Sequence, residues 1–245
     1  MYHYYSLSRI SRRLFNREPT IEEYIINGNE STYASYFTTT CQHTISKDPH
    51  PWQVEVGLNI LQHQSIHQLL VRPTGGGKSM VYIICGILLK GITLCIAPLL
   101  SLGADQCNKI RALPQYGNDV FAYHLDEMTP VAVNYLADKL HLLRNLNKTV
   151  FLFASPQLLT EQSKGRRLLK CLLDLHLITQ IVLDEIHLVV GHGLSFRKPF
   201  QDIKVSLLSK LQYPVRILSM TATCTKGIKS LYESILDCPI THICI

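Results

Sequence analysis

From about residue 52 onward, short apolar runs alternate with longer segments of helical period. "HQLLVR" (67–72), "ITLCIAP" (92–98), "DVFAYH" (119–124), "TVFLFAS" (149–155), "TQIVLDE" (179–185), "PVRILSMTA" (214–222) and "ITHICI" (240–245) predict strands. "KSMVYIICGILLK" (78–90) predicts a helix ended near Gly91. "SLGADQCNKIRAL" (101–113) predicts a second helix, with Ser101 as its capping residue, and Thr129-Pro130 opens a third that runs to about Asn145. Continuous apolar strands separated by helices predict an α/β fold, a largely parallel sheet with helices on both faces. Ligands of such sheets bind at the carboxyl ends of the strands, in the loops leading into helices.

The N-terminal part carries no such alternation. The stretch from Asn27 to Lys47 is rich in Ser, Thr and Asn and reads as a linker, so a leader and linker are expected over 1–48 and the folded domain over 49–245. The first 17 residues hold Arg9, Arg12, Arg13 and Arg17 and no acid, a composition that suits either organelle targeting or a basic tail. No apolar run approaches the length of a membrane span, and a nuclear or other intracellular protein with no membrane partner is expected. Eight cysteines without a C-x-x-C pair point to buried, reduced thiols. The net charge of +6 is compatible with a polyanionic partner.

The loops after the strands hold the candidate chemistry. After the first comes "PTGGGKS", in which Thr74, Gly75, Gly76 and Gly77 let backbone N–H groups surround phosphate oxygens. Lys78 then reaches the outer phosphates and the Ser79 hydroxyl is a ligand for Mg²⁺. The strict pattern asks for glycine where this chain has Arg72, but Gly77-Lys78-Ser79 is intact; the bland alternative is a structural turn. After "QIVL" come Asp184 and Glu185, suited to a second Mg²⁺ contact and to deprotonating an attacking water, and then His187. Acids at a strand end are often merely solvated; here they follow a phosphate loop in the chain. "SMTATC" brings Thr221 and Thr223 to the end of a further strand, as hydroxyls that sense the phosphates or as an ordinary helix cap.

Taken together, "PTGGGKS", "APLLSLGADQ", "SPQLL", "DEIH" and "SMTAT" stand in the order of motifs I, Ia, Ib, II and III of superfamily 2 helicases, and the spelling resembles RecQ-type DNA helicases. The resemblance runs from about His50 to the last residue and implies a RecA-like P-loop domain, with ATP and Mg²⁺ as cofactors. It implies that Gln53 reads the adenine edge, that Thr74–Ser79 hold the phosphates, and that Lys78, Asp184 and Glu185 carry catalysis. Ser79 and Asp184 would hold Mg²⁺, while His187, Thr221 and Thr223 couple the nucleotide state to the nucleic-acid surface. Ser101, Gln106, Ser155, Phe196 and Arg197 lie where such enzymes touch nucleic acid. Single-stranded or tailed DNA is the implied partner, as is a second RecA-like domain supplying an arginine finger.

Two departures stand out. His50 occupies the position of the usual arginine three residues before the glutamine. In "LVVGHGLSFRKPF", His192 stands in place of tryptophan and Leu194 in place of histidine. No motif IV, V or VI follows "ITHICI", so the isolated chain is expected to bind ATP and hydrolyse it poorly. A nucleotide-gated nucleic-acid binder without catalysis and a DEAD- or DEAH-type RNA helicase are the other readings.

Overall fold

Seven parallel strands form the centre of the molecule, in the order β3-β4-β2-β5-β6-β1-β7. They are β1 (Ile66–Val71), β2 (Gly91–Ile96), β3 (Val120–His124), β4 (Thr149–Ala154), β5 (Ile178–Leu183), β6 (Arg216–Thr221) and β7 (His242–Cys244). The computed structural model describes residues 30–245 apart from 65, 144–146, 189–193, 238 and 245, so the arginine-rich leader lies outside the described residues. All seven expected strands are present, trimmed at their ends.

The period-two alternation of the apolar strands sorts their side chains into two cores. Ile92, Leu94, Ile96, Val150, Leu152 and Ala154 face one side with α5 (Pro130–Leu143), α6 (Pro156–Thr160), α7 (Ser163–Asp174), α8 (Leu194–Ser206) and α9 (Lys226–Leu236). Cys95, Phe151 and Phe153 face the other, with α1 (Glu30–Ile45), α2 (Pro51–Gln62), α3 (Lys78–Leu89) and α4 (Leu100–Arg111). Apolar side chains on both faces are what a parallel sheet needs, because crossover helices cover both. The seven described cysteines are free thiols, five of them buried.

The segment expected as a linker is instead α1, packed against α2 and α3. Tyr33, Phe37, Cys41 and Thr44, spaced four, four and three residues apart, are buried along one side of it. That is a helical stripe diluted by threonines, whose low helix propensity is overridden by tertiary burial. The fit is close: a Cβ placed on Gly57 of α2 would stand 2.3 Å from the Phe37 ring. The folded unit therefore includes residues before position 49. A second correction concerns α4, whose N-cap is Leu99, two residues before the expected Ser101: no side chain caps it, and exposed Ser101 lies within its first turn.

Register brings the carboxyl ends of three adjacent strands level. Val71 of β1 pairs with Thr221 of β6, and Leu183 of β5 pairs with Ser219 of β6. The glycine loop, the two acids and the threonine pair thus emerge side by side, although more than a hundred residues separate the first from the second.

Candidate active site

The loop between β1 and α3 takes its shape from its glycines. Gly75 and Gly77 have φ of 80° and 85°, in the left-handed region where a side chain is strained. A Cβ on Gly76 would lie 2.9 Å from the Pro73 carbonyl, and one on Gly77 would lie 2.7 Å from Gln53 Nε2. Gly77 is also the N-cap of α3 and offers no capping side chain, nor does an acid stand in the first turn. The first amides of α3 thus meet no capping side chain, an arrangement that suits an anionic ligand. Lys78 is buried, and its ammonium donates to the Arg72 carbonyl at 2.8 Å and the Pro73 carbonyl at 3.3 Å. The lysine is thereby folded back along the loop rather than extended over it.

Asp184 and Glu185 follow β5. Burial pushes the Asp184 carboxyl up to about 6, helped by the Glu185 charge; the Glu185 N–H, which it accepts at 2.9 Å, and the Lys78 ammonium oppose that rise. Glycine loop and acid stand at the carboxyl ends of β1 and β5, the strands that flank β6. Glu185 itself has φ of 49°, a conformation rare outside glycine and typical of strained functional positions. His187 Nδ1 stands 3.1 Å from Glu185 Oε2 and 3.1 Å from Thr221 Oγ1. The Thr221 hydroxyl donates to the Thr223 carbonyl at 2.8 Å, so its oxygen accepts from His187. In the neutral ring the hydrogen therefore sits on Nδ1. Thr223 enters this network through its backbone, since its N–H reaches Thr221 Oγ1 at 3.3 Å and its side chain is exposed.

The donor set suits a nucleotide phosphate with a hard cation. Mg²⁺ is held by one or two protein oxygens with waters and phosphates completing its shell, and Ser79 and Asp184 are of that kind. Among the described residues no cluster of three or more histidines, cysteines or acids makes a metal cage.

Gln53 behaves differently from its expected adenine-reading role in this conformation. It is 1% exposed; its Oε1 accepts from the His50 N–H at 2.7 Å and its Nε2 donates to the Gly77 carbonyl at 3.1 Å. The same residue closes the N-terminus of α2 and buttresses the glycine loop. Beside it, the Arg72 guanidinium lies 4.9 Å from the Trp52 ring centroid, and His50 stacks on the other partner of that pair, Trp52, at 6.4 Å. The cluster is foreshadowed in the sequence only by two departures, Arg72 where the strict loop pattern wants glycine and His50 where arginine is usual.

The expected nucleic-acid residues divide into three kinds. Ser101 is exposed beside Leu99 and Leu100, themselves 41% and 53% exposed, at the mouth of the loop after β2. Ser155 is 6% exposed: its hydroxyl donates to Asp126 at 2.6 Å and accepts from Leu158 N–H at 3.1 Å as the N-cap of α6, so its side chain is committed inside the fold. Gln106 is half-buried and accepts a hydrogen bond from Tyr82 at 3.4 Å. Phe196 and Arg197 belong to the start of α8, but their side chains, like His192, fall outside the described residues.

A family model described as DEAD/DEAH box helicase matches residues 50–231, nearly three quarters of the chain. The chain belongs to the DEAD/DEAH box helicase family. Its homologues include RecQ-type enzymes. The ATP-dependent DNA helicase hus2/rqh1 of Schizosaccharomyces pombe is 32% identical over 65% of this chain and 12% of its own length. The probable ATP-dependent DNA helicase RecS of Bacillus subtilis is 31% identical over 63% of this chain and 28% of its own. This helicase chain thus spans only a motor-domain region of its curated relatives. Among solved structures, the DEAD-box helicase Mss116 bound to ssRNA and UDP-BeF superposes with a TM-score of 0.56 at 16% identity, covering 93% of this chain and 45% of that one. The Pyrococcus furiosus Hef helicase domain gives 0.54 at 19%, covering 80% and 38%. These likenesses establish the RecA-like helicase fold. Membership in an ATP-dependent helicase family implies nucleotide use, and among the described residues no helix is long and apolar enough to cross a membrane.

Proposed function

We propose that this chain is the ATP-binding first motor domain of a RecQ-like ATP-dependent DNA helicase. The observation that supports it best is the convergence of Gly77-Lys78-Ser79, Asp184-Glu185-His187 and Thr221 on one end of three adjacent strands. Thr74 through Gly77 and the start of α3 hold the phosphates of ATP by backbone amides. Lys78 leaves the Arg72 and Pro73 carbonyls to neutralise the outer phosphates. Ser79 and Asp184 hold Mg²⁺, which when bound supplies positive charge against the phosphate oxygens. Glu185 takes the proton of the attacking water, and the His187 ring, fixed by its Nδ1–H bond to Thr221, stands 3.1 Å from its carboxylate. Gln53 sets the loop from behind and meets the adenine once its amide turns from Gly77.

The exposed loop at Leu99–Ser101, with Phe196 and Arg197, takes single-stranded or tailed DNA, the backbone contacts giving salt-sensitive affinity. A second RecA-like domain closes the other side of the nucleotide cleft and supplies an arginine, a contribution of about 10³- to 10⁵-fold in rate where it has been measured.

The test is Glu185→Gln. It is expected to bind Mg-ATP within about threefold of the parent while single-turnover hydrolysis, measured with a matching second domain added, falls by about 10²-fold or more. Hydrolysis at the parent rate would remove Glu185 from the role of base.

A further inference from the structure

Arg72 stands directly after β1, and its side chain has no task in the nucleotide chemistry above. Its backbone is fastened twice: the Arg72 N–H donates to the Thr221 carbonyl at 3.0 Å, and the Arg72 carbonyl accepts from the Lys78 ammonium at 2.8 Å. The side chain reaches instead to the first turn of α2, where the guanidinium carbon lies 4.9 Å from the Trp52 ring centroid. Trp52 packs against the core on that face of the sheet, and the next residue, Gln53, donates from Nε2 to the Gly77 carbonyl at 3.1 Å. These contacts close a ring: Arg72 to Trp52, along the chain to Gln53, across to Gly77, along the chain to Lys78, and from Lys78 back to Arg72. The glycine that the strict loop pattern asks for at position 72 would leave that ring open.

We propose that Arg72 is a positioning residue for the base side of the nucleotide site: through Trp52 it holds the start of α2, and Gln53 with it, against the phosphate loop. This rests on the functional reading above. When nucleotide binds, Lys78 leaves the Arg72 carbonyl for the phosphates, and the Gln53 amide leaves Gly77 for the adenine. Both hydrogen bonds of the ring are then given to the ligand, and the guanidinium on the indole is the contact that still ties α2 to the loop. The pairing suits that task. A cation on an indole face is held by the ring quadrupole, so it competes for none of the donors and acceptors that the nucleotide uses. The Trp52 ring is half-buried, and the His50 ring lies parallel to it at 6.4 Å, which restricts it further. Without Arg72, Gln53 has to be ordered from a looser helix start as adenine binds, and that ordering weakens base recognition. Lys78, Ser79 and the loop amides hold the phosphates as before.

The measurements use residues 1–245 with two probes, Mg²⁺–ATP and Mg²⁺–tripolyphosphate, which has no base. Arg72→Leu is expected to bind ATP about fivefold more weakly than the parent and tripolyphosphate within about twofold of it. Arg72→Lys keeps a cation for the indole and should stay within about twofold of the parent for both. Trp52→Leu removes the other partner and should show the same loss for ATP alone. The double variant should be no weaker than either single to within about twofold, as two residues acting through one contact require. Trp52 is the chain's single tryptophan, so its fluorescence reports the contact without ligand. Acrylamide quenching is expected to rise in Arg72→Leu and not in Arg72→Lys. Equal losses for ATP and tripolyphosphate would mean that the loop merely loses its shape, and would overturn the proposal. So would an unchanged ATP affinity in Arg72→Leu, or losses that add in the double variant. A parent that binds neither probe overturns the functional reading as well, which separates the two failures.

Discussion

His187 Nδ1 lies 3.1 Å from the Thr221 hydroxyl oxygen and joins the turn after β5 to the end of β6. Both polar neighbours of that nitrogen, Thr221 Oγ1 and Glu185 Oε2, are acceptors, so the neutral ring carries its hydrogen on Nδ1. Nitrogen-15 NMR of the imidazole is expected to report this tautomer. An Nε2–H signal would mean that the His187–Thr221 contact runs the other way. Thr221→Val should cost about 1 kcal/mol in urea unfolding, the usual net value of one hydrogen bond.

Asp184 gives the metal-free protein a defined pH dependence. Its folded carboxyl titrates at about 6 against an ordinary 3.8, so the folded state binds more protons than the unfolded state between those values. Stability from this group is therefore greatest at and below about pH 4 and declines as pH rises to about 6, then stays flat. Asp184→Asn, measured in a chelator, is expected to remove that decline and to be the more stable protein at pH 8. A parent that gains stability relative to the variant across the same window would contradict the burial argument. Mg²⁺ favours the charged form, so metal-dependent nucleotide affinity should rise as pH passes 6.

Phe37 tests whether α1 is part of the core. Its ring is wholly buried against Gly57, and Phe37→Ala is expected to cost about 3–5 kcal/mol in denaturant unfolding. A loss below about 1 kcal/mol, normal for a surface or linker position, would contradict the packing described.

Much of this fold is legible in local pattern. β2, β4 and β5 are largely apolar runs followed by Ala97-Pro98, Ser155-Pro156 and Asp184, as strands buried on both faces usually are. The glycine loop and Asp184-Glu185 are legible too, because their chemistry needs those residue types in that order. What stays hidden depends on partners distant in the chain. Ser155 looks like a surface loop residue until Asp126, 29 residues away, takes its hydroxyl. Gln53 looks free until the Gly77 carbonyl meets it from 24 residues away. Tyr82 looks like an ordinary core tyrosine until Gln106, 24 residues away, accepts from its hydroxyl. In α1 the apolar stripe is present, and Ser35, Thr38, Thr39, Thr40 and Gln42 between the stripe positions give it the composition of a linker.

The central claim is that Gly77-Lys78-Ser79 holds a nucleotide phosphate, and Lys78 is the residue whose charge that claim cannot do without. Isothermal calorimetry of Mg-ATP binding to residues 1–245 and to Lys78→Ala tests it most directly. The parent is expected to bind, and the variant, lacking the ammonium that Arg72 and Pro73 now hold at 2.8 and 3.3 Å, is expected to show no measurable heat of binding at the same concentrations. Equal affinities for the two folded proteins would contradict the phosphate-loop assignment and everything built on it.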